Sequence, residues 1–337
     1  MRVLFYTYPM AFQHPGGGET LLLKSQQYLH QRGLDVELFD QWRTRITDFD
    51  IVHCFSCYTS AMWPHFKKHG CKVVVTPVSW FNTEWQVRLF HRLKRAGKRM
   101  LIGPRAIDDA DNFTSPDLFL PNSNGEAVRF HATYDVSPQR VRVVPHGVDR
   151  RFADGDASLF RQTYGLDRFI LSVGRFVEQH KNQLGLIRAL KGRLDVPVVF
   201  IGSADPDQQG YFDQCRREAD PRTQFIGALP HDSPLLASAY KAASVLAMPS
   251  FVEAPGLAAL EAGVAGARVA ITDIGATREY FGDGVDYVNP HSSESILSGV
   301  KRALARPSDD AFACDLLRRY SWDTVACATQ DAYESLL

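Results

Sequence analysis

The sequence predicts an α/β protein of two domains, each a parallel sheet with helices on both faces. Three observations carry this. Short apolar runs alternate with longer amphipathic segments, the pattern left by strands buried on both faces and the helices that cover them. The alternation starts again after Pro145-His-Gly-Val-Asp149. A chain of 337 residues also exceeds what one ordinary core accommodates. The boundary is therefore placed near 150, giving a first domain over 1–150, a second over 151–320 and a final helix over 321–337.

In the first domain Val3–Tyr8, Ile51–Cys54, Val73–Thr76, Leu118–Pro121 and Val141–Val144 read as buried strands. In the second, Phe169–Val173, Val198–Ile201, Gln224–Ile226, Val245–Met248 and Arg268–Ile271 read the same way. Helical periodicity fills the gaps at Glu19–Gln31 before Gly33, at Asn182–Leu194 and at Ser233–Ala243. Ser321 is placed to cap the last helix, for which packing back toward the first domain is one placement.

Composition narrows the function. Hydrophobic residues make up 45% and charged residues 23%, as in an ordinary globular protein. The 38 basic residues balance 38 acidic ones, which disfavours nucleic acid as a partner. Cys54 and Cys57 form a lone CxxC with no second pair at metal spacing, so packing thiols are the plainer reading and no metal is expected. The start is too soon broken for a signal peptide, and no apolar run reaches ~18 residues. A cytoplasmic enzyme is the expectation.

Chemistry concentrates in Pro249-Ser-Phe-Val-Glu-Ala-Pro-Gly-Leu-Ala-Ala-Leu-Glu261. Glu253 precedes a Pro-Gly turn, and Glu261 lies within the small-residue helix that should follow. A helix N-terminus offers free N–H groups and partial positive charge to a phosphate. Carboxylates accept hydrogen bonds from sugar hydroxyls. Glu261 sits among Ala258, Ala259, Leu260, Ala262 and Val264, where an unpaired acid is costly and a ligand diol would pair it. Arg175 just past a strand end, with Lys181 near the next helix start, would neutralise a diphosphate and stabilise it as a leaving group. For these two cations the alternative is a pair of solvated surface charges. The run Gly16-Gly-Gly-Glu-Thr20 fits neither a dinucleotide nor a P-loop signature. It reads as a tight turn or as a close backbone approach to a ligand.

Gly-Gly-Gly-Glu, Ser172-Val-Gly-Arg175 with Lys181, Val-Val-Pro-His-Gly-Val-Asp149, and the two glutamates with their flanks occur in one order. In this they resemble family 4 of the retaining glycosyltransferases, the group 1 set with the GT-B fold. The resemblance spans nearly the whole chain, including Pro121-Asn-Ser123 and the closing Ser-Trp helix. It implies two Rossmann-like domains with parallel sheets facing a central cleft, the first domain on the acceptor side and the second holding the donor.

The resemblance also implies residue roles. Arg175 and Lys181 match the grip on the donor diphosphate, Glu261 the acid on the ribose hydroxyls, and Glu253 the acid facing the donor sugar. The turn through Pro255, Gly256 and Leu257 would offer amides to phosphate or sugar, chiefly from Gly256 and Leu257 because proline has no N–H. Gly17 and Gly18 would approach the phosphates from the first domain, and Ile226 to Leu229 would flank the base. His53 matches a frequent family histidine. At Pro77-Val-Ser79-Trp80 the chain lacks another one, and Glu253-Ala-Pro-Gly256 replaces the family's Glu-Gly-Phe-Gly.

The implied activity is retaining transfer of a sugar from a UDP- or GDP-sugar to the hydroxyl of a glycan or lipid-linked acceptor, in glycan, polysaccharide or glycolipid biosynthesis. No cofactor is permanently bound, and cations and helix dipole stand in for a metal. Two other readings fit these residues: a nucleotide-sugar epimerase on the same fold, or a non-catalytic sugar-nucleotide-binding protein. Residues 80–105 mix aromatic and basic side chains. They read as a helix with one core face and one solvated face, or as a peripheral contact with an anionic membrane at its inner face.

Overall fold

The computed structural model describes residues 1–13, 16–78 and 112–337. They form two compact units, Met1–Gly147 with Trp322–Leu337, and Val148–Ser321. The aromatic-basic segment 80–105 lies outside the described residues. No helix among the described residues is long and apolar enough to cross a membrane.

The first unit holds a sheet of β1 (Arg2–Tyr6), β2 (Asp35–Leu38), β3 (Ile51–Phe55), β4 (Lys72–Thr76) and β5 (Leu118–Phe119) in the order β2-β1-β3-β4-β5. All pairs are parallel. Side chains alternate across the sheet, so Ile51 and Phe55 of β3 pack under α1 (Gly17–Gln31) and α12 (Trp322–Glu334). Val52 and Cys54 pack on the other side with Trp63 and Phe66 of α2 (Trp63–Lys68) and Phe130 of α3 (Asn124–Tyr134). Both faces are covered, which is why the strands are continuously apolar. Cys54 is thus a core residue whose thiol burial pushes up in pKa.

Two expectations need correction here. Val141–Val144 is not a strand: Val141 makes one isolated bridge to Phe119, with Arg142 and Val144 donating to Phe119 O and Pro121 O. Pro121, Pro138 and Pro145 bracket both segments and remove donors that a longer ladder needs. Conversely, β2 is a strand that the apolar runs did not reveal, because only Val36 of its four residues is buried.

Helix α12 packs on α1, where Trp322 stacks on Tyr28 at 6.2 Å between ring centroids. It also supplies the Tyr333 hydroxyl that meets His53 Nδ1 at 2.6 Å, while His53 Nε2 meets Thr76 Oγ1 at 2.8 Å. Burial lowers the His53 pKa to about 3 and that of His146 to about 4. Both lie below the unfolded value of about 6.5, so the unfolded chain takes these protons first. The stability they contribute is present above pH ~6.5 and is lost progressively as pH falls from there through the folded values. Tyr333→Phe leaves one His53 nitrogen without its partner. It should cost the first unit about 1–2 kcal/mol, read as a lower urea midpoint; an unchanged midpoint would show the bond to be dispensable.

The second unit holds β6 (Ile170–Val173), β7 (Val198–Ile201), β8 (Gln224–Ile226), β9 (Val245–Met248), β10 (Arg268–Thr272) and β11 (Asp286–Val288). Their order is β11-β10-β9-β6-β7-β8, again all parallel. From β6 the chain builds outward through β7 and β8, then returns to β9 and builds the other way. The order reverses between β6 and β9, and open parallel sheets bind ligands beyond the carboxyl ends of their strands at such a switch point. The helices are α4 (Ala157–Tyr164), α5 (Gln183–Leu190), α6 (Gln209–Glu218), α7 (Pro234–Ala242), α8 (Leu257–Val264), α9 (Thr277–Phe281), α10 (Ser293–Ala305) and α11 (Asp310–Tyr320).

Candidate active site

The residues after β6 and after β9 meet at the switch point of the second sheet. Strand β6 runs into Gly174, with φ 144°, and then Arg175. The turn after β7 approaches so closely that a Cβ on Gly202 would lie 2.0 Å from Gly174 O. Arg175 is exposed, and its Nη1 meets Asp205 Oδ2 at 3.1 Å. The next turn closes through His180 and Lys181 amides on Val177 O. Asn182 adopts a left-handed conformation, with φ 53°, and buries its amide. Its Nδ2 donates to Pro249 O at 3.0 Å and Pro290 O at 2.9 Å, tying this loop to those beyond β9 and β11.

Lys181 thereby reaches Glu253, with Nζ 2.6 Å from Oε1. The two segments are stitched together by their neighbours. Phe251 N donates to His180 O at 2.8 Å. His180 Nε2 lies 2.9 Å from Val252 O, and a carbonyl only accepts, so this nitrogen carries the proton. Burial lowers the His180 pKa, and the Lys181 ammonium adds to that. Glu253 is 6% exposed. Burial alone would raise its pKa, but Lys181, His180 and the hydrogen bond from Lys181 overcome it, and the net shift is downward. Its backbone is fixed by Glu253 N to Ile274 O at 3.1 Å and Ala276 N to Glu253 O at 2.9 Å.

Gly256, with φ 91°, turns the chain into α8. Pro255 is buried beside it. The amides of Ala259 and Leu260 turn back to Gly256 O, and those of Leu257 and Ala258 stand ahead of them at the helix start. This is the arrangement that accepts anionic oxygens. One turn into α8, Glu261 is 7% exposed and its Oε1 meets His231 Nε2 at 2.7 Å.

Of the residues singled out from the sequence, the second unit therefore brings Lys181 and Glu253 into contact and sets Arg175, Gly256 and Leu257 on the same sheet edge. Glu261 follows on the same helix. Ile226 ends β8, where its carbonyl accepts from Gly202 N at 3.1 Å. Leu229, half-buried, leads to His231. Gly17 and Gly18 open α1 in the first unit, where a Cβ on Gly18 would meet nothing within 4 Å. His53 is 2% exposed with both ring nitrogens engaged in the first core. Sequence reasoning passed over His180, Asn182, Asp205 and His231. A polar residue next to an assigned cation was the available signal for His180 and Asn182; His231 carried none.

Known proteins match this chain. The model described as "Glycosyl transferases group 1" matches residues 160–314, and that described as "Glycosyltransferase Family 4" matches 38–152. An uncharacterized glycosyltransferase of Methanocaldococcus jannaschii is 30% identical over 316 residues, covering 86% of this chain and 76% of that one. A D-inositol 3-phosphate glycosyltransferase of Kribbella flavida is 29% identical over 68% of this chain, which spans 59% of that relative's length. The solved structure of Anabaena HepE in complex with UDP-glucose superposes with a TM-score of 0.77, at 17% identity, over 99% of this chain and 100% of that one. The chain belongs to the group 1 glycosyltransferases and has their GT-B fold.

Proposed function

We propose that the chain is a retaining glycosyltransferase whose second unit binds a nucleoside-diphosphate sugar and whose first unit takes the acceptor. The observation that carries this is the Lys181–Glu253 pair at the switch point, beside the start of α8. Lys181, Arg175 and the α8 amides supply positive charge where a diphosphate leaves, so in this reading no metal ion is needed. Glu253, held as a carboxylate, addresses the hydroxyls of the transferring sugar, and Glu261 the ribose. Departure of the diphosphate leaves an oxocarbenium-like sugar. The acceptor hydroxyl attacks from the same face and gives its proton to the departing phosphate, so no strong protein base is required.

His53 serves the core in this reading. A ring with both nitrogens engaged and a pKa near 3 is neither free nor basic enough to take a proton near neutrality. The solved relative named with UDP-glucose favours a uridine donor, and the relatives named for D-inositol 3-phosphate favour a polyol or sugar-phosphate acceptor. A glycan or lipid-linked acceptor carries the same reactive hydroxyl.

A thermal-shift panel of UDP-, GDP- and ADP-sugars should show one nucleotide class stabilising the protein, and an acceptor mixture should then release nucleoside diphosphate. Arg175→Ala should lower kcat about a hundredfold with little change in donor affinity. Glu261→Ala should weaken donor binding about tenfold or more. Wild-type transfer by both variants would remove the assignment. Binding without any diphosphate release would favour a non-catalytic binder, and sugar isomerisation without transfer an epimerase.

A further inference from the structure

Glu261 lies in a helix whose other residues are alanine, leucine, glycine and valine, so whatever holds its carboxylate must come from elsewhere. The partner is His231, thirty residues earlier, in the loop between β8 and α7. His231 is itself held from the opposite side. Arg151 Nη2 donates to His231 O and lies 3.4 Å from its Nδ1. A guanidinium only donates, so Nδ1 is the accepting nitrogen and Nε2 carries the proton that goes to Glu261. Arg151 is in turn placed by Asp149, at 3.6 Å, and by the Phe152 ring 4.1 Å from its Cζ. Phe152 is fully buried, with its ring edge-on to both His231 and Tyr240. Tyr240 closes the cluster. Burial raises its phenol pKa, and the neighbouring Glu261 carboxylate raises it further.

We propose that His231 is a positioning residue for the donor's ribose, acting through Glu261; this rests on the reading of the second unit as a nucleoside-diphosphate site. A carboxylate has about four acceptor positions. The bond from His231 takes one of them and holds the group in place, which turns the remaining lone pairs toward a vicinal diol. Arg151 locks the imidazole in the tautomer that donates to the acid. The selectivity this gives is for ribose over 2′-deoxyribose.

Calorimetric titration of UDP, GDP and ADP, each against its 2′-deoxy counterpart, tests this on wild type and on His231→Ala, His231→Gln, His231→Asn and Glu261→Ala. Wild type should prefer the ribo form of its nucleotide about tenfold. His231→Ala should lose most of that preference, weakening the ribo form several-fold more than the 2′-deoxy form, which has only its 3′-hydroxyl left for the acid. His231→Gln, whose amide nitrogen takes the place of Nε2, should restore it; His231→Asn, whose amide falls at the Nδ1 position, should not. The proposal is overturned if His231→Ala keeps the preference, if it loses affinity for both forms alike, or if Asn rescues as well as Gln. If Glu261→Ala keeps the preference, the ribose assignment of Glu261 fails. If wild type binds no nucleotide, or shows no ribo preference, the ground for the proposal is gone.

Discussion

Lys181→Met should leave the second unit about 2–3 kcal/mol less stable at neutral pH and reverse the response of that stability to acid. In the wild type, burial opposes the Glu253 charge, but Lys181 and its hydrogen bond bring the folded pKa below the ordinary value. The stability contributed by a depressed carboxyl is present above the unfolded pKa of about 4.3 and is lost as pH falls through the folded value. Without Lys181, burial becomes the dominant influence and the folded pKa moves above the unfolded one. Stability is then greatest below pH ~4.3 and is lost as pH rises through the new folded value. Urea unfolding of variant and wild type from pH 4 to pH 7, compared as a difference, cancels the titration of His53 and His146, which both proteins share. The predicted signature is a gap between the two that widens with pH. A constant gap, or none at pH 7, would mean that the pair contributes little. The measurement needs no donor, so it tests the geometry independently of the function.

Gly275→Ala should be the most damaging small substitution at the site. A Cβ there would lie 1.8 Å from Glu253 O, and φ is 117°, a region that residues with side chains rarely adopt. The obstructing atom is backbone, so relief requires moving Glu253 itself and breaking its bonds to Ile274 and Ala276. About 3–4 kcal/mol of stability and about a hundredfold in transfer rate should be lost together. Gly266→Ala is the control: its φ is 87°, yet nothing lies within 4 Å of the added carbon. It should carry the backbone strain alone and leave transfer intact. Equal melting temperatures for the two alanine variants would contradict the close approach.

The central strands were legible because burial on both faces writes a continuous apolar run, as in Val198–Ile201 and Val245–Met248. The missed strands, β2 and β11, are edges of their sheets. Edge strands carry less apolar patterning and depend on a neighbour that sequence does not display. Helix α5 ends at Leu190, short of the expected Leu194, because Gly192 takes φ 67° and breaks the turn. At the site, Lys181 and Glu253 are 72 residues apart, yet both follow strand ends, and the rule for open parallel sheets places such residues on one edge. His231 follows no such rule. Its role depends on a carboxylate on one side and a guanidinium on the other, and neither is near it in sequence.

The two places where the backbone passes between units lie side by side: Val148 N donates to Tyr320 O at 2.7 Å, and Val148 bridges to Ser321. The second unit is therefore topologically an insertion, entered and left at one point, with a contiguous stretch of chain as its whole content. Its six strands, the Arg151–His231–Glu261 chain and the Lys181–Glu253 pair all fall between those two residues. Excised as Val148–Ser321, it keeps its ends paired and retains every second-unit residue assigned to the nucleotide sugar, losing only Gly17 and Gly18 of the first unit. The first unit, by contrast, is split in sequence and cannot complete its core until the last sixteen residues, Trp322–Leu337, have been made.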